Sequence, residues 1–133
     1  MNLSDAQRQH IVEVRLANAE QMLVDASNAL GSDSLRTAAN RCYYAVFYAA
    51  SALAMRDNQS FHKHSGVISY FHLAYVKTGR LPKELGTIFR RAFDKRCDAD
   101  YDDLVELRHE EVSELLEQAR QFVTEVKSLL LAT

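Results

Sequence analysis

Tryptophan is absent from this 133-residue chain, and proline and glycine are scarce, with one and four copies respectively. Because these two residues mark the turns between short strands, their scarcity disfavours a fold built of many strands. A chain of this length is typical of one domain and can bury about two thirds of the surface that it exposes when unfolded. We therefore predict an all-α fold, with one domain over residues 1–133.

Cysteine is also scarce, since the chain has only Cys42 and Cys97. Two distant cysteines form neither a metal-binding spacing nor a disulfide framework. The N-terminus has no apolar signal region, and the uncharged run in the middle of the chain is too short to span a bilayer. We expect a protein of the reducing cytoplasm with no membrane span, and we predict no metal site and no cofactor.

The formal net charge is only −2, which disfavours a generic nucleic-acid coat protein, because such proteins are strongly basic. The charge is unevenly distributed, however. From His62 to Cys97 the chain has eight Lys or Arg against two acids, and from Asp98 to Glu125 it has ten acids against two Arg. These two strips could match each other within the chain or between subunits, or the basic strip could face an anionic ligand.

The segment Leu35–Met55 carries no charge after Arg41, and Arg56 follows it directly. A helix of this composition has almost no face suited to water, so we predict that it is the central helix of a bundle. Its small residues recur at steps of four and three, which lets a neighbouring helix approach closely; they are Ala38, Cys42, Ala45, Ala49 and Ala52. A polar row should face a crevice or a partner, because buried polar groups must be paired; it consists of Arg41, Tyr44, Tyr48 and Ser51.

Apolar residues at helical spacing predict four more helices. The first begins at Ser4, where Gln7 completes a capping box, and ends at Gly31. The others are predicted before Gly79, from Leu81–Pro82, and from about Arg108 to Leu131, with Asp33 or Ser34 capping the central helix. The acidic run Asp98–Asp103 is predicted to interrupt the helical pattern, and five phenylalanines are predicted to form the core: Phe47, Phe71, Phe89, Phe93 and Phe122. The prediction is an up-and-down antiparallel bundle of four long helices and one shorter helix.

Four separated motifs occur in order: NRCYYAVFYAASALAM, HKHSGVISYF, VKTGRLPKELG and KRCDADYDD. Together they resemble the HEPN family, in particular its stand-alone prokaryotic branch, over nearly the whole chain. The resemblance implies a helical bundle similar to the C-terminal domain of kanamycin nucleotidyltransferase. It also implies binding of nucleotides or RNA, a homodimer, and a small nucleotidyltransferase as partner. Many HEPN proteins are metal-independent ribonucleases that act as toxins or defence effectors.

The ribonuclease signature of the family is an Arg, a polar residue, and a His four to six residues after the Arg. At the matching position, Arg96 is followed at that distance by Tyr101, Asp102 and Asp103, none of which is a His. Attack by a 2′-hydroxyl needs a base with a pKa near neutrality, which Tyr, at about 10, does not supply. Arg96 could still hold a phosphate through two hydrogen bonds.

Two other arrangements could supply a catalytic His. Arg56 and His62 have the required spacing, with the polar Asp57 after the Arg, but they do not lie where the family has its motif. His64 matches the position of a His in the family and could act with Arg96. The catalytic residues are therefore left open, with Arg56, His62 and His64 as candidates.

The predicted ligand-binding residues are Arg41, Tyr44, His64, Arg96, Asp98, Asp100 and Tyr101. Arg41 could clamp a phosphate beside aromatic platforms, or it could be a buried cation paired with the acidic run. Asp98 and Asp100 could line the same crevice only if that run is extended.

The favoured hypothesis is a HEPN-like module that binds a nucleotide or RNA and acts with a small nucleotidyltransferase. The first alternative is a metal-independent ribonuclease toxin of a toxin–antitoxin or defence system. The second is a dimerisation bundle with no ligand.

Overall fold

The computed structural model describes residues 2–132, which form five α-helices and one short π-helix. The α-helices are α1 (Asp5–Gly31), α2 (Leu35–Arg56), α3 (His64–Phe71), α4 (Lys83–Tyr101) and α5 (His109–Leu131), and the π-helix His72–Val76 continues α3. No strand occurs in this part of the chain. The predicted all-α class is confirmed, whereas the up-and-down order of the bundle stays a prediction.

Helix α2 is the centre of the fold, because it contacts α1, α3, α4 and α5. Its row of small residues is buried, with no more than 1% of any member exposed: Ala38, Cys42, Ala45, Ala49 and Ala52. Ala19 and Ala26 of α1 are also fully buried and belong to the same cluster as Ala45. Small side chains on both helices therefore let α1 and α2 pack closely, as the spacing predicts.

The ends of α1 follow the sequence closely. The backbone N–H of Gln7 donates to Ser4 Oγ at 3.0 Å, and the Ser4 N–H donates to Gln7 Oε1 at 2.8 Å, so the predicted capping box is confirmed. The helix ends at Gly31, but the left-handed residue of the turn is Asp33, with φ of 58°. Ser34 occupies the N-cap position of α2 without a side-chain capping bond.

The third helix differs from the prediction of one continuous α-helix that ends near Gly79. After Phe71 the backbone widens into the π-helix, in which the Lys77 N–H donates to His72 O at 2.8 Å. Helix α4 then begins at Lys83, with Pro82 in the N-cap position, one residue later than predicted.

The acidic run Asp98–Asp103 does interrupt the helical pattern, but later than its first residue, because α4 continues to Tyr101 and the chain leaves the helix at Asp102. The guanidinium of Arg36, on α2, binds the carbonyl oxygens of Asp98 at 3.2 Å and Ala99 at 2.7 Å. A cation at the C-terminal end of a helix stabilises its unpaired carbonyl groups. This tertiary contact prolongs the helix into a run whose sequence disfavours it.

The basic and acidic strips meet each other within the chain. Arg91 of α4 lies 3.4 Å from Glu114 of α5, and Lys95 lies 3.0 Å from Glu111. Glu111 also accepts the Arg108 N–H at 2.9 Å, and this bond, followed by the contact with Lys95, lowers the pKa of the carboxyl group. The intramolecular interpretation of the two strips is thus correct for these pairs.

Three of the five predicted core phenylalanines are fully buried and pack together. The ring of Phe122 lies 5.0 Å from that of Phe71 and 5.6 Å from that of Phe89. Phe47 and Phe93 are half-buried, because they lie beside the polar cluster described below. Within residues 2–132, no helix has the combination of length and apolar character that crossing a membrane requires.

The close packing of α1 on α2 predicts that Ala45→Leu lowers the free energy of unfolding by about 1–3 kcal/mol, because the added atoms have no space at a fully buried position. Urea denaturation measures the change. The matched control is Ala17→Leu, on the exposed face of α1, which should change stability little. Equal stability of the two variants would contradict the close approach of these helices.

Candidate functional site

The candidate site is built around Tyr43, a fully buried residue of α2. Its hydroxyl lies 3.1 Å from Nδ1 of His64, the first residue of α3. The imidazole packs on the ring of Phe47 at 4.2 Å between ring centres and contacts the edge of Tyr44 at 5.8 Å. A buried hydroxyl needs a hydrogen-bond partner, so this contact fixes the position of His64.

Arg96 reaches the same tyrosines from α4. Its guanidinium carbon lies 5.3 Å from the ring centre of Tyr43 and 5.6 Å from that of Tyr44, within the range of cation–π contacts. The Arg96 Nη2 donates to the Tyr44 hydroxyl at 3.4 Å. Arg96 and His64 therefore belong to one cluster, although they are far apart in the sequence.

A chain of polar contacts connects Arg96 to Arg41. Arg96 Nε donates to Asp100 Oδ2 at 3.0 Å, Asn40 Nδ2 donates to the same oxygen at 3.1 Å, and Arg41 Nη1 donates to Asn40 Oδ1 at 2.8 Å. Within residues 2–132 Arg41 has no direct ion pair with the acidic run. The interpretation that it pairs directly with those acids is wrong, because Asn40 lies between them.

Tyr101 lies on the solvent side of Arg96, whose Nη2 donates to the Tyr101 hydroxyl at 3.1 Å. The guanidinium carbon lies 5.4 Å from the ring centre, and 71% of Tyr101 is exposed. The site thus has an accessible aromatic ring next to a cation, an arrangement that can stack on a nucleobase.

Three members of the predicted polar row line a crevice, as expected. Arg41, Tyr44 and Tyr48 form one wall of a cavity of about 480 Å³, and Met22 and Asp25 of α1 lie opposite. The fourth member of the row, Ser51, is buried instead, and its carbonyl accepts from Arg15 at 3.1 Å.

The surroundings of His64 favour its neutral form. Partial burial lowers the pKa of the imidazole from its usual 6.5, and the positive charge of Arg96 lowers it further. Burial raises the pKa of the Tyr43 phenol, so this hydroxyl keeps its proton at neutral pH. At neutral pH the cluster therefore combines a charged guanidinium with an imidazole that can accept a proton.

Asp98 differs from the other predicted ligand-binding residues. Since α4 is helical here, Asp98 and Asp100 project about 200° apart around the helix axis. Asp98 contributes its backbone carbonyl to Arg36, whereas Asp100 contributes its carboxylate to Arg96. The extended segment that would let both acids line one crevice is not formed, and the two acids therefore do not act together.

Arg56 belongs to a different polar network, at the other end of α2. Its Nη2 donates to the Tyr75 hydroxyl at 3.1 Å, and its Nε lies 3.6 Å from Asp57 Oδ1. Asp57 also accepts the hydroxyls of Tyr70, at 2.7 Å, and Tyr75. His62 is exposed in the loop before α3. The catalytic pairing of Arg56 with His62 stays a prediction.

No sequence pattern marked Arg36 and Asn40, which organise the site from α2. Arg36 contacts Asp98, 62 positions away, and Asn40 contacts Asp100, 60 positions away. Local sequence patterns do not mark pairs that are so far apart. A usable signal is their position within five residues before Arg41, on the same helix as the polar row. Within residues 2–132, no group of three or more potential metal-ligating side chains occurs.

Comparison with known proteins identifies the family. Residues 12–129 match the HEPN domain. The chain is 39% identical to a UPF0332 protein of Thermotoga maritima over 124 residues, which are 93% of this chain and 94% of that protein. It is also similar to two Methanocaldococcus jannaschii proteins named as candidate toxins. One is 32% identical over 91% of this chain and 82% of its own length. The other is 33% identical over 90% of this chain and 88% of its own length. The resemblance noted in the sequence is therefore confirmed, and the chain belongs to the HEPN domain family.

Proposed function

We propose that the chain binds RNA, or a nucleotide, through a phosphate held at Arg96. The observation that carries the proposal is the joint contact with Tyr43, whose ring lies under the guanidinium of Arg96 and whose hydroxyl bonds His64. A guanidinium donates two parallel hydrogen bonds to a phosphate, and an imidazole beside it can add a third.

The aromatic side chains support a nucleic-acid ligand rather than a simple anion. Tyr101 is largely exposed beside Arg96, and Tyr44 faces the adjoining crevice together with Arg41. Bases stack on such rings with little sequence preference. Asp100 holds the guanidinium of Arg96 at 3.0 Å, and a phosphate would replace part of this contact.

A second function, cleavage of RNA without a metal ion, is favoured by the state of His64. A neutral imidazole can take the proton of a 2′-hydroxyl as its oxygen bonds to phosphorus and the bond to the 5′-oxygen breaks. The departing oxygen takes a proton from solvent, and Arg96 stabilises the negative charge that develops on the phosphate. Two relatives carry names that describe candidate toxins, which agrees with this function.

The family resemblance further suggests a cytoplasmic homodimer that acts with a small nucleotidyltransferase. We retain these as predictions within the proposal. Light scattering on the purified chain measures its mass directly, and co-purification with a nucleotidyltransferase encoded nearby tests the partner.

For the binding function, Arg96→Ala should weaken the affinity for a short RNA about 10- to 100-fold, because hydrogen bonds to a charged group are removed. The RNA affinity of Arg96→Lys should lie between that of Arg96→Ala and that of the wild type, since lysine keeps the charge but lacks the planar guanidinium. Fluorescence anisotropy with labelled RNA measures the affinity, and thermal unfolding checks the fold. Lys127→Ala, on the far end of α5, is the control. Unchanged affinity in folded Arg96→Ala would contradict the proposed site.

For the cleavage function, purified protein should cleave labelled RNA in chelator, and His64→Asn should abolish cleavage. Asparagine can still bond the Tyr43 hydroxyl but cannot take up a proton. Because burial and Arg96 lower the pKa of His64, the loss of activity on acidification should occur below pH 6.5. The control His10→Ala, at an exposed position, should remain active.

Loss of cleavage in His62→Ala with activity retained in His64→Asn would instead favour the pair of Arg56 and His62. Absence of cleavage in the wild type, together with binding that depends on Arg96, would leave the binding function alone.

A further inference from the structure

A groove runs between α4 and the segment formed by α3 and the π-helix. It consists of two adjoining cavities of about 440 Å³ and 290 Å³, and Ile68 and Arg90 line both of them. The larger cavity extends to Val76 and Lys83, and the smaller one extends to Ser65 and Asp94. The shared residues place the two cavities side by side along the surface.

The smaller cavity lies next to the Arg96 site. Ser65, which lines it, directly follows His64 in α3. Phe93, which also lines it, packs its ring 5.9 Å from the ring of Tyr43. The smaller cavity and the Arg96 site are therefore neighbours, since residues next to His64 and Tyr43 line the cavity.

The floor of the groove is apolar, and its shape depends on the π-helix and on Gly86. Phe71 and Phe89 form the floor, and His72 and Val76 project from the π-helix. A Cβ atom at Gly86 would lie 3.0 Å from His72 Cε1, so the missing side chain allows the imidazole to lie against α4. Single turns of π-helix within α-helices occur frequently at functional sites.

The rim of the groove carries the positive charge that α5 does not neutralise. Arg91 and Lys95 of α4 are paired with acids of α5. Lys83 and Arg90 are exposed and form no ion pair within residues 2–132, and both line the groove. They are seven residues apart, so they lie on the same side of α4 about 10 Å from each other along its axis. Among the described lining residues the one carboxylate is Asp94.

We propose that this groove binds the single-stranded RNA segment that flanks the phosphate held at Arg96. The inference rests on the proposed function and adds to it the path of the strand. Backbone phosphates would lie along Arg90 and Lys83, and the bases would face the apolar floor. The proximity to the Arg96 site and the unpaired cations favour a polyanion that extends through both places over a separate protein partner.

The experiment compares two probes, AMP and a ten-nucleotide single-stranded RNA, on Arg90→Glu and on the control Lys127→Glu. Arg90→Glu should weaken binding of the oligonucleotide about tenfold or more and leave the affinity for AMP unchanged. It should also reduce the slope of log affinity against log salt by about 0.7 for each phosphate that the variant no longer neutralises. Lys127 lies away from the groove, since its Nζ is 2.8 Å from Glu20 of α1. Reversing its charge should therefore change the slope of log affinity against log salt little.

A second pair of variants adds charge without removing a cation. Thr87→Glu places a carboxylate in the groove from an exposed position of α4, and Thr124→Glu places one on the exposed face of α5. The first should weaken oligonucleotide binding more than the second. Thermal unfolding establishes that each variant is folded.

Equal oligonucleotide affinities in Arg90→Glu and Lys127→Glu would overturn the proposed path and assign the groove to another occupant, such as an acidic protein helix. If the oligonucleotide binds the wild type no more tightly than AMP does, the proposed path is also overturned. The proposed phosphate site at Arg96 would still stand in that case. Failure of both probes to bind the wild type would reject the proposed function itself, and the path with it.

Discussion

The buried hydroxyl of Tyr43 is the constraint on which the site depends. Helix α2 is apolar enough to be enclosed by four other helices, and it carries this polar group into the interior. An unpaired hydroxyl at such a position would cost about 1–3 kcal/mol, and His64 removes that cost by bonding it at 3.1 Å. The start of α3 is thereby held against α2. Because the ring of Tyr43 also lies under the guanidinium of Arg96, the residue that secures the fold also brings the two candidate functional groups together.

The basic side chains of α4 have different roles, which depend on whether an acidic side chain pairs with them. Arg91 and Lys95 join α4 to the acids of α5 and so contribute to packing. Arg96 is held by Asp100 in a position next to aromatic rings, from which a phosphate can compete for it. Lys83 and Arg90 keep their charge exposed along the groove. A chain with a net charge of only −2 can thus present a local positive surface, which its overall composition conceals.

The sequence predicted those features that depend on local periodicity. These include the central helix, its small-residue row, the Ser4 capping box and the crevice that Arg41, Tyr44 and Tyr48 line. The extension of α4 into its acidic run, as far as Tyr101, could not be predicted, because it depends on the distant side chain of Arg36. The link from Arg41 to Asp100 through Asn40 depends on a contact equally distant in sequence. The groove was also missed, because it requires the π-helix, which no periodic pattern marked, and knowledge of which cations α5 neutralises.

The most direct test of one shared site for Arg96 and His64 is NMR titration of the histidine side chains with a short single-stranded RNA. The chain has five histidines, and among the contacts of residues 2–132 only that of His64 reaches the Tyr43 hydroxyl. RNA binding should shift the His64 resonances and raise the pKa of its imidazole, because a bound phosphate stabilises the charged form. His64 resonances and a His64 pKa that do not change at saturating RNA would contradict the account, since the bound phosphate would then lie elsewhere.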